Sequence, residues 1–217
     1  MRILLGRLIV PLQFVCILWL VKCYEYLTGD ILVLYGVFPR DPSYLTGILT
    51  APLVHADFEH LLSNSIPLIV LGWMLLYFYP RAATKVFVGV YLGSGLLVWF
   101  FGRPTFHIGA SGLIYGIAFF LLVISLLRRD IQSMAIVALL IIFYGGMIWG
   151  LLPVESRISF ESHIAGAVMG ILLAYRLRDS DLPPPPPPLQ EDGVALGEPD
   201  YKYIYHPREE DDHNPSN

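Results

Sequence analysis

The chain has little charge. Asp, Glu, Lys and Arg make up 15% of its 217 residues, hydrophobic residues make up 55%, and the mean hydropathy is +0.60. Globular chains carry about 25% charged residues, so a soluble protein of this composition would lack the polar surface to cover its core. Cysteine is nearly absent as well. Cys16 and Cys23 both lie in the first apolar stretch, which excludes a disulfide framework and a C-x-x-C metal or redox site. The net charge of -4 averages two unlike parts. Residues 1–178 hold 12 Lys and Arg against 8 Asp and Glu, and residues 179–217 hold 2 against 10. The apolar part is therefore +4 and the end of the chain -8, and no nucleic-acid partner is expected.

What the sequence does have is long apolar runs. A bilayer core of about 30 Å needs roughly 17 to 25 mostly apolar residues per helix, and six runs of that kind read 8–27, 60–79, 84–101, 111–127, 132–150 and 160–176. Aromatic residues of the interfacial type mark their ends, among them Tyr24, Tyr26, Tyr77, Tyr79, Trp99, Trp149 and Tyr175. The first run is not read as a signal peptide, because no small-residue cleavage site follows it and Lys22 and Glu25 interrupt its end. With six spans and an inner N-terminus, the inner segments hold Arg2, Arg7, Arg81, Lys85, Arg128, Arg129, Arg176 and Arg178. The outer ones hold only Arg40, Arg103 and Arg157. This asymmetry predicts both termini in the cytoplasm, with an outer loop of about 32 residues between the first two helices. From Asp179 the pattern ends in six prolines, Pro183 to Pro188, and an acidic segment. The expectation there is an extended polyproline rod and a disordered cytoplasmic tail, with a proline-binding or basic partner as the alternative use. The predicted fold is thus an all-α membrane domain of six helices over 1–178, followed by that tail over 179–217.

Inside a bilayer the informative residues are the polar ones, since each must find a partner or a water-filled cavity. They gather at three helix starts: His55 to Asn64, Gly109-Ala110-Ser111-Gly112, and Glu161-Ser162-His163 with Gly166 after it. Ser111 lies 17 residues from Arg128, Asn64 15 from Tyr79 and His163 13 from Arg176, which places them roughly 25, 23 and 20 Å above the inner interface. All three fall in one layer near the outer surface. A serine hydroxyl needs a base to become a nucleophile and a neutral imidazole is the usual one, so Ser111 and His163 form a candidate pair. Free backbone N–H groups at the helix start beside Ser111 suit an oxyanion. His60 and Asn64, four residues apart, share a helix face and can donate to the same charge. Gly112 with Gly116 and Gly166 with Gly170 have the spacing that lets membrane helices approach closely.

Each piece also has a plainer reading. A lone G-x-S-G recurs by chance, glycine pairs are packing devices, and a membrane histidine can be structural. His55 and His60 point about 140° apart on a helix, and no acidic or cysteine ligand completes a metal set, so no metal and no cofactor are expected. His107 reads as a loop residue.

Taken together, the order of these pieces resembles the rhomboid family of intramembrane serine proteases. The resemblance covers about residues 44–175. It rests on Leu49-Thr50-Ala51-Pro52-Leu53-Val54-His55-Ala56-Asp57-Phe58-Glu59-His60-Leu61-Leu62-Ser63-Asn64, on Gly109-Ala110-Ser111-Gly112, and on His163-Ile164-Ala165-Gly166-Ala167-Val168-Met169-Gly170. It implies a bacterial-type six-helix core with Ser111 as nucleophile, His163 as general base and later acid, and no third triad member. It further implies an oxyanion hole of His60, Asn64 and the Ser111 N–H. By the same resemblance Tyr115 packs its ring on the histidine, Gly166 permits close approach, and His55 supports the outer loop. The implied substrates are transmembrane segments of other membrane proteins, cut near the outer face, in a bacterial plasma membrane. The alternative is an inactive relative that binds such helices without cutting them. One departure is clear: Thr46 and Gly47 stand where many bacterial relatives have Trp-Arg.

Overall fold

A computed structural model describes residues 2–153 and 159–182. The polyproline and acidic tail expected after Leu182, and Arg157 of the charge count, lie outside the described residues. The fold is helical: α1 (Arg2–Thr28), a short α2 (Gly47–Thr50), α3 (Phe58–Phe78), α4 (Pro80–Phe101), α5 (Ser111–Arg128), α6 (Ile131–Tyr144) and α7 (Phe160–Arg176). Among the described residues there is no strand, only one isolated bridge between Val37 and His107.

Among the described residues five helices are long and apolar enough to cross a membrane: α1, α3, α4, α5, and α6 continued to Leu151. The sixth apolar run forms α7, at 17 residues. The first helix starts at Arg2, earlier than its apolar run. The fifth run departs more usefully from the expected continuous helix over 132–150. It is α-helical only to Tyr144 and then tightens into 3-10 turns over Gly145–Leu151. Two consecutive glycines, Gly145 and Gly146, follow the last α-helical residue and weaken the α-helix there. The long loop after α1 is also structured, with 3-10 turns at Leu32–Tyr35, Pro42–Tyr44 and Ala51–Leu53 around α2.

α5 lies at the centre, packed against α7, α6, α4 and α3, while α1 leans on α3. Lipid is as apolar as leucine, so burying side chains gives these helices little hydrophobic gain, and close van der Waals packing must hold them instead. The glycines provide it. A Cβ built on Gly166 would stand 2.0 Å from the Gly112 carbonyl oxygen, and one on Gly170 would stand 2.1 Å from that of Gly116. α5 and α7 therefore touch backbone to backbone over two turns. Side-chain hydrogen bonds add specificity: Trp19 Nε1 donates to Ser65 Oγ at 3.0 Å between α1 and α3, and the Tyr79 and Ser125 hydroxyls meet at 3.0 Å.

At the end of the bundle carrying Tyr79 and Arg128, the Arg128 guanidinium lies 4.7 Å from the Tyr79 ring centre. There Asp181 accepts hydrogen bonds from the Arg81 and Ala82 N–H groups at 2.9 and 3.0 Å, capping α4. His60, Ser111 and His163 stand at the opposite ends of α3, α5 and α7.

Candidate active site

Asp57 caps α3 by accepting from the His60 N–H at 2.7 Å, which fixes the start of that helix and puts His60 in its first turn. His60 then reaches over Gly109. A Cβ on Gly109 would come within 2.9 Å of His60 Nε2, and φ is +102° there, so glycine is required on both counts. Asn64, one turn deeper and buried, donates from Nδ2 to the His60 carbonyl at 2.8 Å.

The segment before Ser111 is held from outside as well. Gly109 N–H donates to the Ala51 carbonyl at 2.9 Å, and Ala110 N–H points at His55 Nε2 at 3.4 Å. His55 is itself 1% exposed and meets His60 edge to face at 5.0 Å. Its Nε2 is committed to Ala110, and among the described residues no three His, Cys, Asp or Glu side chains gather as metal ligands.

Ser111 opens α5 after Ala110, which has no side chain able to cap the helix. The N–H groups of the first turn therefore have no side-chain cap, and the helix dipole favours negative charge beside them. Tyr115, one turn along the same face as Ser111, stacks flat on His163, with ring centres 4.1 Å apart and planes 8° apart. His163 is 7% exposed and its Nδ1 lies 2.8 Å from the Gly150 carbonyl. A carbonyl only accepts, so Nδ1 carries the proton and Nε2 holds the lone pair. Tyr115 is pinned in turn, its hydroxyl donating to the Met147 carbonyl at 2.6 Å. Both acceptors come from the 3-10 segment after α6.

The structure thus brings His60, Asn64, Gly109, Ser111, Tyr115 and His163 to one end of the bundle, with His55 bracing the backbone behind Ser111. Among the described residues no hydrogen bond yet joins Ser111 Oγ to His163 Nε2. Two supporting groups escaped the sequence reading. Gly150 orients His163, and a Cβ there would stand 2.0 Å from the Tyr115 hydroxyl. Lys22, buried near the end of α1, donates to the His55 and Ala56 carbonyls at 3.0 and 2.9 Å and pairs with Glu25 at 2.7 Å, so it holds the approach to α3. The signal for Lys22 was its charge, with that of Glu25, interrupting the end of an apolar run. Gly150 gave none.

A family model for the Rhomboid domain matches residues 42–180. The chain belongs to the rhomboid family. It is also similar to uncharacterized mycobacterial proteins. One, from Mycobacterium tuberculosis strain H37Rv, is 37% identical over 179 residues, covering 76% of this chain and 73% of the relative. Another, from Mycobacterium leprae, is 36% identical over 176 residues, covering 76% and 69%. This rhomboid chain, with its five membrane-capable helices, is an integral membrane protein.

Burial first, and the neighbouring His60 second, push the His55 imidazole down to about 4 from 6.5. As pH falls through that window the unfolded chain takes up a proton that the folded state refuses. Stability present above pH 6.5 is therefore lost towards pH 4, by on the order of 3 kcal/mol from this residue. Thermal unfolding in detergent is expected to show the midpoint falling between these values, and falling less in His55→Gln. An identical pH dependence in the two proteins contradicts the assignment.

Proposed function

We propose that this rhomboid is an intramembrane serine endopeptidase that cuts transmembrane segments of other membrane proteins near their outer end. Ser111 is the nucleophile and His163 the general base. The observation that carries the reading is the orientation of His163: Nδ1 donates to the Gly150 carbonyl and the ring is stacked on Tyr115, which lies on the helix that Ser111 opens, so Nε2 is left as the basic nitrogen. A backbone carbonyl here orients the imidazole, the task that the aspartate performs in a three-residue triad. Ser111 Oγ attacks the substrate carbonyl carbon and gives its proton to His163 Nε2. The oxyanion is held by N–H groups at the α5 start together with His60 and Asn64. Collapse breaks the C–N bond, His163 returns the proton to the leaving amine, and water hydrolyses the acyl-serine. No step calls for a metal or cofactor.

The same reading makes α7 the sixth span, since 17 residues extend roughly 26 Å, close to the bilayer core. Both termini are then cytoplasmic and the site opens outward, and a cytoplasmic partner for the proline-rich acidic segment belongs to the same reading. By the family resemblance, substrate enters through the gap between α3 and α6 or by motion of a loop above them. The absent Ser111–His163 hydrogen bond is the one feature that favours an inactive helix-binding relative, although such bonds are often long before substrate binds.

Reconstitution with a single-span substrate separates the two readings. Two products whose masses place the cut near the outer end of the span are expected. Substrate that co-purifies uncut with a folded protein contradicts the protease.

A further inference from the structure

The loop between α4 and α5 holds a histidine that the mechanism does not use. His107 is 2% exposed, and its hydrogen bonds run in one direction. Nε2 lies 3.0 Å from the Arg103 carbonyl oxygen, which only accepts, so Nε2 carries the ring proton. Nδ1 is then bare and accepts from the Ser159 hydroxyl at 2.6 Å. Ser159 has a single proton, now committed to His107, so its oxygen receives the Ser162 hydroxyl at 2.7 Å and the Ser162 N–H at 3.3 Å. Burial holds His107 below its usual range, against the opposing pulls of the Arg103 carbonyl and Glu161, so the ring is neutral at pH 7, as this chain of donors requires.

Both ends of the chain lie beside the reacting groups. His107 precedes Ser111 by four residues, and its backbone is fixed to Val37 by two hydrogen bonds of 2.9 Å. Ser159 is the N-cap of α7, and Ser162 is the residue before His163. The Ser162 carbonyl presses on the residue after Ser111, since a Cβ on Gly112 would stand 3.0 Å from it. Arg103 strengthens the same junction, pairing with Glu161 at 3.2 Å and lying 5.4 Å from the Phe160 ring centre.

We propose that His107 is a positioning residue that sets the placement of Ser111 relative to His163 by tying the loop before α5 to the N-terminus of α7. The proposal rests on the Ser/His reading above. His107 touches no substrate. It acts through Ser159.

The test uses the full chain in detergent and in vesicles, with His107→Leu, His107→Gln, Ser159→Ala and the pair His107→Leu/Ser159→Ala. Hydrogen–deuterium exchange reads the tie without reference to catalysis. His107→Leu and Ser159→Ala are each expected to speed exchange in both 103–112 and 159–163, while His107→Gln, which keeps one uncharged donor and one acceptor, stays close to wild type. Acceleration confined to the mutated segment overturns the tie. In the cleavage assay His107→Leu is expected to lower kcat by about 10²-fold with KM unchanged, the cost of a misplacement near 1 Å. His107→Gln recovers most of the rate, and the pair is no slower than its slower member. If wild type cleaves and Ser111→Ala does not, an unchanged kcat in His107→Leu overturns the positioning role and leaves the Ser/His reading standing. A wild type that cleaves nothing removes both.

Discussion

Replacing His163 with alanine is expected to lower the cleavage rate by at least about 10⁴-fold, and replacing Ser111 with alanine by as much or more, with the double variant no slower than either single one. The size follows from the division of labour at the imidazole. Nδ1 is committed to the Gly150 carbonyl at 2.8 Å and the ring is held flat against Tyr115, so the residue has one task left, moving the serine proton through Nε2. Without that base the hydroxyl is a poor nucleophile and the leaving amine has no acid. What remains is binding and the donors around the oxyanion, neither of which depends on the pair. Single-turnover rates in vesicles check this. Losses that multiply in the double variant contradict a pair acting as one unit.

The second large effect concerns the backbone. Gly166→Ala is expected to destabilise the protein by about 1–3 kcal/mol, as overpacking does, and to lower cleavage by at least about 10²-fold. The new Cβ would stand 2.0 Å from the Gly112 carbonyl oxygen, where ordinary contact begins at 3.4 Å. The obstacle is backbone on a neighbouring helix, so no rotamer relieves it and α5 must separate from α7. Ser111 and His163 sit on those two helices, one residue before Gly112 and three before Gly166. Gly6 supplies the control, since a Cβ there meets nothing within 4 Å. Alanine at that position is expected to change the unfolding midpoint and the rate little. Equal tolerance at Gly166 contradicts the described packing.

These particulars show what a sequence reading can and cannot reach here. Apolar length and residue spacing carry the helices and the glycine seam, because a four-residue spacing on a helix encodes a shared face whatever the neighbours are. The serine, the two histidines and the asparagine stand out because polar groups are costly at that depth. Gly150 left no trace. Composition does not distinguish an α-helix from 3-10 turns in an apolar run, so the fifth run read as continuous helix through the segment whose carbonyls orient His163 and Tyr115. Lys22 was visible as an interruption, but its acceptors, the His55 and Ala56 carbonyls, are backbone groups brought near only by the fold. His107 failed to stand out for a similar reason: its partners are a carbonyl in its own loop and a serine 52 positions further along.

The most direct test of the central claim is the intact mass of the folded, detergent-solubilised protein after exposure to a serine-directed fluorophosphonate. One adduct is predicted, located by peptide mapping at Ser111, absent in Ser111→Ala and strongly slowed in His163→Ala. A folded wild type that takes up no adduct, or a Ser111→Ala protein labelled as fast as wild type, contradicts the account.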